Sequence, residues 1–225
     1  MRIEILGTRG HIEPSAPGHA LHSGVMIDDL LFDLGERSYL DRRPRAVFLT
    51  HLHADHAFFV EKDAAIDIPM FGPQARGPPS KVTQARSTVE LDGFRITPIP
   101  TVHSNTVRSC AFMVEKDLSR VMYTGDLVSV QERYRDRIPD LDLVIADGSF
   151  MRRGGLVRRD EQGRRHGHTG IPDLVELFSP LAERIVVTHF GSWFYRDIEE
   201  SVKHIEALSG RAKVEAAYDG MVIEL

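Results

Sequence analysis

Apolar residues along this chain fall into short, β-branched runs separated by polar or glycine-rich breaks, the pattern of strands rather than of long helices. It predicts strands over residues 2–6, 24–28, 30–34, 46–50, 94–100, 110–115, 120–124, 141–146, 184–188, 213–218 and 221–225. Helical spacing is confined to a few places. Ile171, Leu174, Val175, Phe178 and Leu181 recur at helical intervals with Thr169 as a cap. Ile198, Val202 and Ile205 do the same, with Glu199, Glu200 and Lys203 on the opposite face. A third, short helix is expected near His56. Strands outnumber helices and come in consecutive groups, which predicts layered sheets covered by a few helices. Residues 72–80, rich in Pro and Gly, read as a loop, and 151–166 as an inserted surface loop. There is no internal repeat and no composition break, so residues 1–225 are expected to form one domain.

Composition narrows the class. With 42% hydrophobic and 27% charged residues the chain can build a core, which excludes a disordered tail or a fibre. A net charge of −5 makes any contact with nucleic acid a matter of local patches. The lone Cys110 sits in an apolar run and cannot pair internally. With no secretory pattern and no apolar stretch of membrane-spanning length, the expectation is a cytoplasmic protein that avoids membranes. The oligomeric state is not legible.

Eleven histidines are many for 225 residues, and their placement is what directs the reading. The predicted strand 46–50 runs straight into His51-Leu52-His53-Ala54-Asp55-His56, four metal-ligand types in six residues. In extended chain His51 and His53 project to one side, and a following turn lets Asp55 and His56 reach a second point. Three more such residues end apolar runs: His103, Asp126 and His189. Any one alone is more often a satisfied polar residue. Together with the cluster, at strand ends that converge on one sheet edge, they make seven ligands, enough for two metal ions.

These segments, Thr50 to His56, His103, Tyr-Thr-Gly-Asp126 and Thr-His189, resemble the motifs of the metallo-β-lactamase superfamily along nearly the whole chain. Leu-Leu-Phe-Asp33-Leu-Gly is similar to that superfamily's first motif, whose Asp supports the metal loop. The resemblance implies a four-layer αββα sandwich of two mixed β-sheets. It also implies His51, His53 and His103 on one divalent ion, Asp55, His56 and His189 on the other, and Asp126 between them. The donor set suits zinc, and manganese or iron would also fit. Such a pair implies hydrolysis by a metal-bridging hydroxide with no protein nucleophile, and Asp55, His168 and Asp147 as catalytic residues. No Gly-x-Ser-x-Gly elbow and no Walker-type phosphate loop occurs.

Within the superfamily, three segments resemble the branch of ribonuclease Z and the cyclic-phosphate phosphodiesterases of phosphonate metabolism. They are Ile-Leu-Gly-Thr-Arg-Gly near the start, Gly167-His168-Thr169-Gly170 ahead of a helix, and Leu-Val-Ile-Ala-Asp147-Gly-Ser-Phe. The likeness implies a small or cyclic phosphodiester or nucleotide as substrate, with His168 at the scissile phosphate and Asp147 orienting it. The alternative expectations are a thioester or lactone hydrolase on the same metals, and a metal-binding sensor or scaffold. Against the acyl reading, His103 is followed by Ser-Asn-Thr rather than the Thr-Pro-Gly style of glyoxalase-like members. Residues 151–166 carry six arginines against two acids, a local +4 that reads either as a solvated loop or as an arm for phosphates and nucleic acid. The run contains no aromatic for stacking bases, and no long exosite insertion is recognisable. Of the other histidines, His11, His19 and His22 lie on a loop that could border the site, His166 is undistinguished and His204 is expected to be solvated. Trp193, Phe194 and Tyr195 are expected partly buried beside the site.

Overall fold

The computed structural model describes residues 1–225. Its N-terminal half forms β1 (Arg2–Gly7), β2 (Gly24–Ile27), β3 (Leu30–Phe32), β4 (Ala46–Phe48), β5 (Met70–Gly72) and β6 (Val82–Gln84). The second half forms β7 (Val89–Leu91), β8 (Phe94–Val102), β9 (Cys110–Lys116), β10 (Ser119–Tyr123), β11 (Ser129–Val130), the short helix α1 (Glu132–Arg135) and β12 (Leu141–Asp147). There follow β13 (Leu156–Arg159), β14 (Arg165–His168), α2 (Ile171–Phe178), β15 (Ala182–Thr188), α3 (Ile198–Glu206), β16 (Lys213–Ala216) and β17 (Met221–Glu224). One sheet runs β17-β1-β2-β3-β4-β5-β6, the other β11-β8-β9-β10-β12-β15-β16 with β7 pairing β8. Both are mixed. β3 to β6 are parallel, as are β10, β12, β15 and β16.

The two sheets face each other across a core in which Phe32, Phe48, Phe112 and Tyr123 meet edge to face or stacked, centroids 5.2–6.3 Å apart. A second core lies under α2 and α3, where Leu174, Phe178 and Ile205 bury the faces that their spacing predicts. The outer face of the first sheet is covered by single 3-10 turns, Arg37–Arg42 and Phe58–Val60, which insert Tyr39 and Phe59. The result is the expected sandwich of two mixed sheets between outer layers, one helical and one made of short turns.

Several local expectations change. The turn at Phe58–Val60 takes the place of the third helix expected near His56. Gly170 rather than Thr169 caps α2: Asp173 accepts its N–H, while Thr169 donates to the Leu127 carbonyl (2.8 Å). The segment expected to be a surface loop is a two-stranded hairpin, β13 with β14. It carries no hydrophobic alternation because its pairing is supported by an attachment to His103 rather than by a core. Gly167 N–H donates to the His103 carbonyl at 2.6 Å, and the His103 ring bonds the Gly167 carbonyl at 3.0 Å. Gly167 is needed there, since its φ is +112° and a Cβ would meet the Leu156 carbonyl oxygen.

Phe112, fully buried between the sheets, should be costly to truncate: Phe112→Ala is expected to lower unfolding free energy by about 3–5 kcal/mol in urea denaturation. A loss below about 1 kcal/mol would mean that the inter-sheet core is not packed as described.

Candidate metal centre

Parallel strands put their carboxyl ends on one edge, and crevices at such edges are where α/β proteins bind ligands. Here β4 leads to His51, β8 to His103, β10 to Asp126, β12 to Asp147 and β15 to His189. The edges of the two sheets are drawn together at Gly125, whose φ of +55° and close approach to the Thr50 side chain leave no room for a Cβ. Asp126 is thereby seated beside the histidine loop.

His51, His53, His103 and Asp126 form one group of donor atoms, and Asp55, His56 and His189 a second. In the first, His51 Nε2 lies 3.0 Å from His53 Nδ1 and 3.6 Å from Asp126 Oδ2, and His103 Nε2 lies 3.3 Å and 3.5 Å from the same two atoms. In the second, His56 Nε2 and His189 Nε2 lie 3.1 and 3.2 Å from Asp126 Oδ1, and 3.6 and 3.8 Å from Asp55 Oδ2. A tetrahedron of nitrogen and oxygen donors about 2.0–2.1 Å from zinc has edges of about 3.3 Å, so both groups are spaced to hold an ion. Asp126 turns one oxygen to each group. Its Oδ1 is buried without a hydrogen-bond donor, a state that costs several kcal/mol unless a cation faces it.

The rest of the site orients these donors. Asp33, fully buried, accepts hydrogen bonds from Thr50 N–H (2.7 Å), Thr50 Oγ1 (2.8 Å), Tyr123 Oη (2.8 Å) and His56 Nδ1 (2.7 Å). The Thr50 hydroxyl, having donated to Asp33, accepts from His51 Nδ1 at 3.1 Å. His103 Nδ1–H donates to Gly167, and His189 Nδ1 meets Ser23 Oγ at 2.8 Å. Each bond leaves Nε2 of that ring free to ligate. Asp33 and His189 both adopt left-handed backbone, φ +60° and +57°, conformations tolerated where the surroundings enforce them.

Electrostatics agree. Burial, aided by neighbouring His56, holds His51 well below the ordinary histidine range, and burial also lowers His53 and His103, so these rings are neutral, the form that binds metal. At His56 burial opposes the charge, but Asp126, Asp33 and Asp55 outweigh it and favour a proton strongly. The same carboxylates would favour a metal cation. Asp55 and Asp126, whose burial disfavours charge, are held ionised by the histidines around them.

His168, at the end of β14, stands beside the first group, its ring centroid 4.9 Å from that of His103 and its Nε2 3.9 Å from Asp126 Oδ2. Its Nδ1 lies 2.7 Å from buried Asp147, which also takes the Ser149 N–H and hydroxyl and the Leu127 N–H. Burial lowers the His168 pKa, but Asp147 and Asp126 push it up to about 9. Asp147, Asp126, His168 and His189 also lie close enough to be read as a ligand set. Asp147 is already saturated by donors, and this leaves it a partner for His168.

A cavity of about 1010 Å³ opens over this centre. The hairpin turns one face into it, with Leu156 and Arg158 on β13 and their cross-strand partners His168 and His166 on β14. Arg196 and Trp193 form another wall, and the indole N–H donates to the Gly148 carbonyl. Of the aromatic triplet, Trp193 thus borders the site, Phe194 stacks in the core on Phe190, and Tyr195 donates to the His19 carbonyl. His11 lines the cavity 3.7 Å from Asp55; His19 is buried against Phe190 and Phe194; His22 pairs with Glu36 at 2.7 Å; His204 is exposed and pairs with Glu200. Ser23 was not foreseeable, because an isolated hydroxyl residue carries no pattern; Tyr123 and Ser149 lie within the Tyr-Thr-Gly-Asp126 and Asp147-Gly-Ser-Phe segments, but their bonds to Asp33 and Asp147 are visible only in the fold.

The profile of the beta-lactamase superfamily domain matches residues 35–190, and the chain belongs to that superfamily. Its fold is that of YhfI from Bacillus subtilis, a metallo-beta-lactamase fold protein, with TM-score 0.72 at 20% identity over 99% of this chain and 98% of that one. It is likewise similar to a diphosphatase of the PhnP family (0.68, 16%, covering 100% and 97%) and to the short form of human tRNase Z (0.63, 19%, covering 100% and 99%). The resemblance drawn from the sequence is borne out. No curated protein matches the chain. No helix is long and apolar enough to cross a membrane.

Asp33→Asn should weaken divalent metal binding about 10–100-fold, because the amide cannot accept from Thr50, Tyr123 and His56 together. Chelator competition measures it, and unchanged affinity would separate Asp33 from the metal centre.

Proposed function

We propose that the chain is a binuclear metal-dependent phosphodiesterase for a small or cyclic phosphodiester or a nucleotide. His51, His53 and His103 would hold one divalent ion and Asp55, His56 and His189 the other, with the Asp126 carboxylate available to both. The mixed imidazole and carboxylate donors suit zinc, with manganese or iron as substitutes. Two such ions supply Lewis acidity and an activated water.

The observation that carries a phosphodiester rather than an acyl substrate is the Asp147–His168 pair set against the centre inside a cavity walled by Arg158 and Arg196. Neither guanidinium has a carboxylate partner, whereas Arg153 and Arg164 of the same segment, which point elsewhere, are paired with Glu176 and Asp160. A phosphodiester carries its charge in the ground state and rewards such cations; a neutral thioester or lactone does not. In this reading Asp147 accepts from Nδ1–H of His168 and holds the ring cationic, and Nε2–H gives its proton to the departing oxygen. A thiolate would leave without that help. Arg158 and Arg196 hold the non-reacting part of the substrate, and Trp193 closes one side against water. The diphosphatase and the tRNase Z among the similar structures support a phosphoryl substrate. The buried, unpaired Cys110 is in keeping with a reducing compartment, and the cytoplasm is the proposed location.

The test is hydrolysis of a bis-aryl phosphate diester by protein loaded with zinc or manganese, beside an aryl thioester. Turnover of the diester, lost on chelation and in Asp126→Ala together with the bound metal, is expected. Fully metallated protein that cleaves only the thioester overturns the phosphodiesterase reading. His168→Ala should lower kcat by about 100-fold or more while metal content stays at the wild-type level. An unaltered rate removes His168 from the reaction.

A further inference from the structure

A second large concavity, about 730 Å³, lies outside the metal cavity, and its chemistry is one-sided. Arg86, Arg108, Arg133 and Arg164 line it, and no Asp or Glu does. In a chain of net charge −5 this is a segregated patch of positive potential. Only Arg164 has a carboxylate partner, Asp160 at 2.7 Å. Arg86 and Arg133 reach neutral Gln84 and Gln131, and the Arg108 guanidinium is engaged by nothing, although its backbone N–H is held by Gln74. All four arginines are exposed.

The groove adjoins the site along the chain. Pro100 and Thr101 of β8 line it, His103 of the metal cavity follows directly on that strand, and Ser104 and Thr106 line the groove on the loop beyond. Three steps of extended chain take Pro100 to His103, about 10 Å. At its side half-buried Tyr134 on α1 carries the Arg133 guanidinium over its ring, carbon 4.9 Å from the centroid, with Arg137 also against the ring at 5.7 Å, an aromatic and guanidinium stack of the kind that bases pack against. The Arg-rich hairpin contains no aromatic; Tyr134 supplies one next to its tip.

We infer that this groove binds the sugar-phosphate backbone of single-stranded nucleic acid, with Arg86, Arg108 and Arg133 on its phosphates and a base packed against the edge of the Tyr134 and guanidinium stack, so that one end of the strand leads toward the metal cavity. Spaced cations without acids fit an extended polyanion better than a single phosphate. An aromatic platform fits a strand whose bases are free better than a duplex. Binding in the groove stands by itself; delivery of a scissile phosphate rests on the phosphodiesterase reading.

The experiment is fluorescence anisotropy with a labelled single-stranded 12-nucleotide RNA and the equivalent DNA, using the zinc-loaded full chain across a salt series, for wild type and for Arg108→Ala/Arg133→Ala. Wild type is expected to bind with a slope of log K against log salt of about −2 or steeper, from three phosphate contacts at about 0.7 each. The double variant should bind at least 10-fold more weakly, and its slope should be shallower by about 1.4. Its hydrolysis of the bis-aryl diester should equal wild type, since neither arginine touches the metal cavity; this also shows that the variant is folded. Absence of wild-type binding at low salt overturns the inference, and so does equal binding by the double variant. Displacement of the strand by polyglutamate at equal charge concentration also overturns it, in favour of an acidic protein as the occupant. Binding with these properties but no turnover of any diester would leave the groove assignment intact and defeat the phosphodiesterase reading alone.

Discussion

The site depends on one buried carboxylate. Asp33 sits at the seam of the two sheets with no exposure to solvent, and an ion so placed survives only when its oxygens are fully engaged. Its partners come from three places: the Thr50 amide and hydroxyl at the end of β4, His56 at the far side of the histidine loop, and Tyr123 at the end of β10 in the opposite sheet. Removing any one strands the others in a low-dielectric interior. The arrangement therefore couples inter-sheet closure to the shape of the loop 51–56, and a local rearrangement of that loop carries the cost of a broken core.

Orientation of the donor rings follows from this anchor and from a few bonds like it. His51 and His56 are turned by the Asp33 and Thr50 relay, His103 by a carbonyl of the hairpin, His189 by Ser23. In each case the outer ring nitrogen is committed and the inner one is left facing Asp126. The hairpin serves twice. Gly167 ties it to His103, while the next residue, His168, enters the cavity on the arm of Asp147. A charged segment that would be mobile as a loop is thereby placed against the centre as a wall.

Charge is distributed with the same economy. The interior of the site is acidic, with Asp33, Asp55, Asp126 and Asp147 all buried. The cavity wall and the groove beside it are basic; of the arginines turned away from the cavity, Arg153 and Arg164 are paired with Glu176 and Asp160, while Arg159 and Arg165 bond the Gly163 carbonyl and the Ser129 hydroxyl. Cations in the centre and anions at its rim are what this division accommodates, and the low dielectric at the centre strengthens both preferences.

The sequence by itself determined the strand-rich sandwich, the amphipathic faces of α2 and α3, and the clustering of His51, His53, Asp55 and His56 with three further strand-end residues, because short apolar runs and ligand spacing are local properties that need no partner to be read. Its likeness to a known superfamily also marked Asp33, Asp147 and His168. Tertiary structure decided the rest. The edge strands β6 and β7, the bridge-like β11 and the hairpin β13–β14 are too short or too polar to show periodicity, and they exist because a neighbouring strand or His103 completes their hydrogen bonds. Which histidines belong to the site, why His19 is a core residue and His11 a cavity one, and which arginines remain unpaired depend on contacts between residues far apart in the chain. No local pattern encodes those distances; they are set only when the two sheets close on each other.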